Sequence, residues 1–119
     1  MAKLMLFGDK KVIAKLQSKS LTGNAYFTLK VGFDTEYAVR IHEDLSLNHP
    51  NGGQAKYLEQ PAREFRREMM EIVRTYLARK KRSLEDATLA AGRFLLEKAK
   101  ELVPVLSGRL RDSGFVRLE

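Results

Sequence analysis

The sequence predicts an α+β fold: a small antiparallel sheet packed against two helices as a two-layer sandwich. Three observations carry this. Short runs of alternating apolar and polar residues fill the first half of the chain. Apolar residues at three- and four-residue spacing fill most of the second half. The two patterns are segregated rather than interleaved, which indicates α+β instead of alternating α/β. The 119 residues suit a single domain, with a β-rich part over 1–57, two helices over 58–103 and a C-terminal turn and strand over 104–119.

Taken in order, Lys3 to Phe7 and Lys11 to Leu16 read as two short strands around Gly8-Asp9. Ser18 to Asn24 reads as a polar loop with Gly23-Asn24 as turn chemistry. Ala25 to Phe33 is a strand, since Phe27, Leu29, Val31 and Phe33 alternate with Tyr26, Thr28, Lys30 and Gly32. Tyr37 to His42 alternates too, and the short link Asp34-Thr35-Glu36 predicts a hairpin between these runs. Glu43 to Tyr57 is a long polar loop, of a length that usually serves function or an interface.

A first helix is expected from near Pro61 to about Lys81. Its apolar stripe is Ala62, Phe65, Met69, Ile72, Val73 and Tyr76. Ser83 should cap a second helix, because Ser83-Leu84-Glu85-Asp86 has capping-box spacing. Pro104 should stop it. The short link between the helices predicts an antiparallel or sharply bent pair. Beyond Val105 come a Ser-Gly turn and a last strand, Gly114 to Leu118.

Composition narrows the function classes. Hydrophobic residues make up 44% and charged residues 31%, which is globular. No apolar run nears the roughly 18 residues that span a bilayer, and no signal peptide is read, so no membrane partner is expected. The absence of cysteine removes disulfides and thiol chemistry and fits intracellular synthesis. The net charge of +7 favours an anionic partner. From Gln60 to Arg82 eight basic residues outnumber three acidic ones, ending in the run Arg79, Lys80, Lys81, Arg82 that could face DNA or a partner protein.

No catalytic pattern emerges. His42-Glu43 with His49 is the sole metal-like grouping, and its spacing matches no zinc helix. Glu43 and Asp44 are chain neighbours, unsuited to face each other across a substrate. Gly52-Gly53 lacks the Lys-Ser or Lys-Thr of a phosphate loop. No catalytic, cofactor or metal residue is assigned, and no enzyme is expected. In Ser107-Gly108-Arg109-Leu110-Arg111 the glycine permits a tight turn. The two arginines would project to one side of an extended chain, suited to carboxylate or phosphate.

Two stretches carry a resemblance. Tyr37-Ala38-Val39-Arg40-Ile41-His42-Glu43, followed by Gly53 to Pro61 with Lys56-Tyr57-Leu58, resembles a segment of minor tail and tail-completion proteins of tailed bacteriophages. Ala99 to Ser113, with Val103-Pro104-Val105-Leu106-Ser107-Gly108-Arg109-Leu110-Arg111, resembles that family's aliphatic-Pro-Val-Asp-Thr-Gly-Arg-Leu-Arg element. Together they cover about forty of the 119 residues. Leu106-Ser107 stands where the family has Asp-Thr, and the Gly-Arg-Leu-Arg element comes last here, whereas in many members it precedes the Tyr-Ala segment. The resemblance implies a virion structural protein, made in the bacterial host cytoplasm. It would form a ring of about six or twelve copies at the neck or head-proximal end of the tail. Its partners would be further copies of itself, neighbouring neck, tail-tube or portal-side proteins, and passing genomic DNA. The loop from Glu43 would act as an assembly arm. His42, Glu43, His49, Lys56, Gly108, Arg109 and Arg111 would form the subunit or partner interface. The alternative reading is a small basic DNA-binding protein.

Overall fold

The computed structural model describes residues 12–19, 26–34, 38–43, 56–104 and 108–118. Among them, β1 (Val12–Lys19), β2 (Tyr26–Phe33) and β3 (Gly114–Leu118) form an antiparallel sheet in the order β1-β2-β3. The helices are α1 (Ala38–Glu43), α2 (Glu59–Glu64), α3 (Arg66–Ala78), α4 (Leu84–Leu102) and α5 (Arg109–Asp112). The α+β class read from the sequence is the observed one.

Alternation on the strands sets the core. Ala14, Leu16, Leu29, Val31 and Phe33 are buried, and register places Ala14 beside Val31, Leu16 beside Leu29, and Val116 on the other side of Val31. This face receives α4, whose buried residues Ala87, Ala91, Leu95, Leu96 and Ala99 recur at three- and four-residue spacing. At Gly92 the helix comes so close that an added Cβ would lie 2.1 Å from Leu29 Cδ2. The Ser83 cap forms as expected: its hydroxyl accepts the Asp86 N–H at 3.1 Å.

α3 packs along α4. Phe65, just before α3, meets Phe94 edge-on at 5.6 Å between ring centroids, with Lys98 Nζ over both rings. Since α3 ends and α4 begins at the same connection, this contact makes the pair an antiparallel hairpin. The expected single helix from Pro61 to Lys81 is in fact two. Phe65 leaves helical geometry (φ −99°, ψ 21°), and α2 ends there.

Other expectations are corrected. The strand expected from Tyr37 to His42 and its hairpin with β2 do not form, because Ala38 to His42, its last five residues, lie in α1. Both edges of β2 are already taken, by β1 and β3. Ala38 and His42 are both buried, four residues apart and so on one helical face. β1 continues through Ser18 and Lys19, which the sequence assigned to a loop. The proposed strand Lys3 to Phe7, the turn Gly23-Asn24 and His49 lie outside the described residues.

Candidate functional site

The first motif folds into a clasp. His42, at the end of α1, is fully buried, and its ring meets Tyr57 edge-on at 4.9 Å. The Glu59 backbone N–H, at the start of α2, points to Nε2 at 3.2 Å. A backbone amide can only donate, so Nε2 is the acceptor and the proton sits on Nδ1. Nδ1 then donates to Glu43 Oε1 at 3.1 Å. Lys56 donates to the other Glu43 oxygen and also pairs with Glu59 at 3.4 Å. The Lys56 N–H donates to the His42 carbonyl at 2.6 Å, and the Tyr57 hydroxyl donates to the Ala38 carbonyl at 2.7 Å. Lys56 adopts φ +57°, a left-handed conformation costly for a side-chain-bearing residue.

Electrostatics follow from this packing. Burial pushes the His42 pKa below the ordinary histidine value, outweighing the raising influence of Glu43. The hydrogen bond from Lys56 lowers Glu43 and raises Lys56 in turn. His42 is therefore a neutral ring with both nitrogens engaged by the chain itself. As a metal ligand it would have to surrender one of these bonds. Among the described residues no group of three or more His, Asp or Glu side chains could hold a metal ion.

The second motif forms a turn. Gly108 takes φ +84°, natural for glycine, and its carbonyl accepts the Asp112 N–H at 2.9 Å. Leu110 is buried while Arg109 and Arg111 are exposed. Because these residues form the single-turn helix α5 instead of an extended chain, the two arginines point in different directions, not to one side. Ser113 then joins the turn to the sheet: its hydroxyl donates to the Leu110 carbonyl at 2.7 Å and accepts the Asp34 N–H at 3.1 Å.

The two motifs converge. Phe33, the last residue of β2, pairs with Gly114 and meets Tyr57 edge-on at 5.2 Å. The clasp and the α5 turn thus flank one end of the sheet, although Tyr57 and Gly108 lie far apart in sequence. The run Arg79 to Arg82 lies elsewhere. The later part of α4 passes this end, with Leu96 beside Gly114. Ser83, thirteen residues earlier, is about 20 Å away along the helix. The run is exposed at the hairpin tip, with Lys80 Nζ 4.5 Å from the Tyr76 ring centroid. Sequence reasoning singled out His42, Glu43 and Lys56 but missed Ala38, Tyr57 and Glu59. Ala38 and Tyr57 stood in the resembling stretches without a role of their own, and the three-residue step from Lys56 to Glu59 was a further signal.

Comparison with protein families, with curated proteins and with solved structures finds no match to this chain.

Proposed function

We propose that this chain is a virion structural protein of a tailed bacteriophage or prophage. It forms a ring at the neck or at the head-proximal end of the tail, as a tail-completion, tail-terminator or head–tail joining subunit. One observation supports this most: the two stretches that resemble the phage family, distant in sequence, meet at the Phe33 end of the sheet. On this reading the clasp fixes the base of the segment from Asp44 to Ala55, which reaches to the next subunit or ring. Arg109 and Arg111 pair with acids of two different neighbours, since α5 aims them apart. The protein acts through contacts and not through turnover, and it resides in the virion. Among the described residues no helix is long and apolar enough to cross a membrane.

The test is assembly. Replacing Arg109 and Arg111 together with Ala should leave the chain folded by circular dichroism and abolish the joining of heads to tails. Infectious particles forming at the normal yield would refute the assignment. Light scattering and negative-stain imaging of the purified chain, alone and with heads or tails, should reveal a ring with a central pore.

A further inference from the structure

The turn between α3 and α4 carries four cations in succession, Arg79, Lys80, Lys81 and Arg82, all of them exposed. Backbone bonds fix the turn. The Arg79 and Lys80 N–H groups donate to the Thr75 carbonyl at 2.9 and 3.1 Å, and the Arg82 N–H donates to the Tyr76 carbonyl at 2.8 Å. Lys80 lies over the Tyr76 ring. Among the described residues the side chains of Arg79, Lys81 and Arg82 have no ion pair, hydrogen bond or ring contact. Local structure accounts for only the first of these three charges. A helix C-terminus favours cations, and Arg79 stands at the end of α3. Lys81 takes φ +51°, a left-handed conformation that glycine adopts freely and that usually falls to glycine just past a helix end. Arg82 directly precedes Ser83, the N-cap of α4, and a helix N-terminus favours acids instead. Two cations thus stand against local preference on a fixed turn at an exposed tip.

We propose that this tip binds the phosphodiester backbone of nucleic acid, with Arg79, Lys81 and Arg82 as its phosphate contacts. The run spans at most about 10 Å of chain, so its partner presents several negative charges within that distance. Duplex DNA carries one per about 1.7 Å of its axis. Arginine's planar fork matches a phosphate with two parallel bonds. The net charge of +7 adds attraction at longer range. The nearest acids in sequence, Glu85 and Asp86, lie in the first turn of α4, where the helix end favours them. The inference does not rest on the ring assignment and holds whether or not the chain assembles into one.

The experiment is fluorescence anisotropy of a labelled DNA oligonucleotide, as single strand and as duplex, titrated with the whole protein over a range of salt. Each phosphate contact contributes about 0.9 to the log–log salt slope on duplex and about 0.7 on single strand. The double variant Arg79→Gln, Lys81→Gln should lower the duplex slope by about 1.8 and weaken low-salt binding on the order of tenfold or more. The charge-matched control Arg67→Gln, Arg93→Gln removes two exposed cations about 15–18 Å from the tip along α3 and α4, and should leave the slope unchanged. Lys81→Gly should raise the urea midpoint, because it relieves the left-handed backbone, and yet lower the duplex slope by about 0.9. A cation with a purely structural role would not move those two readouts in opposite senses. Whichever probe binds more tightly identifies the form recognised. The proposal is overturned if neither probe binds at low salt, if the control lowers the slope as much as the tip variant does, or if Lys81→Gly leaves the slope unchanged. Displacement of DNA by polyglutamate at equal charge would overturn it in favour of an acidic protein partner.

Discussion

His42 shows how one side chain can join two helices. Its ring accepts the first N–H of α2, donates to the carboxylate beside it and fills the space against Tyr57. Phe at this position would keep the shape and remove the acceptor, leaving the Glu59 N–H without its partner. His42→Phe should cost about 1–3 kcal/mol in urea unfolding at neutral pH. The pH dependence has a definite sign. Well above the ordinary histidine value of 6.5 the ring is neutral in both states, and its contribution is fully present. Below that value the unfolded chain takes up the proton more readily, because burial lowers the folded pKa, so stability falls with pH. Glu43, lowered by Lys56, adds a loss of the same sign below its ordinary value of 4.5. Between neutrality and about pH 5.5 the wild-type urea midpoint should fall more than that of His42→Phe. Parallel titration curves for the two proteins would rule out His42 as the group responsible.

Among the elements, α4 carries the fold. Its outline was legible because each signal is local: a serine cap, a helical apolar stripe and a terminating proline. Gly92 was not singled out, since its importance depends on Leu29 of β2, far away in sequence. Gly92→Ala gains helix propensity, yet its methyl would overlap Leu29 Cδ2 and crowd Val31 and Val116, all within a packed core. It should destabilise the protein by about 1–3 kcal/mol, measured by chemical denaturation. Ser83→Ala, which removes only the cap, should cost about 1 kcal/mol. α1 illustrates the opposite case. Six residues of alternating polarity fit a strand as well as a helix, and the choice is made by Tyr57 and by the occupied edges of β2. The clasp was half legible for the same reason: its motif residues were visible, but the contacts that unite them come from a separate segment.

For the molecule as a whole, the last strand completes what the first two begin. β3 pairs with β2 across most of the chain, Gly114 against Phe33, and Val116 lies against the same α4 surface as Leu29 and Val31. Ending the chain after Pro104 would remove β3 and buried Leu110, and would turn central β2 into an edge. That truncated chain should keep helical circular dichroism but lose a cooperative unfolding transition; a sharp transition would show that β3 is dispensable. Such distant pairing also slows folding relative to a helical bundle of this size. At the Phe33 end of the sheet, the clasp has a practical corollary. Glu43 and Lys56 are bridged directly, so the two ends of the twelve-residue interval between them are held together. Lengthening a loop whose ends are already held costs only about 0.6 kcal/mol per doubling. A foreign epitope placed between Asn51 and Gly53 should therefore lower the melting temperature by no more than about 5 °C. Because the clasp holds both ends of that interval, the length of an inserted sequence should matter little to the stability of the rest of the chain.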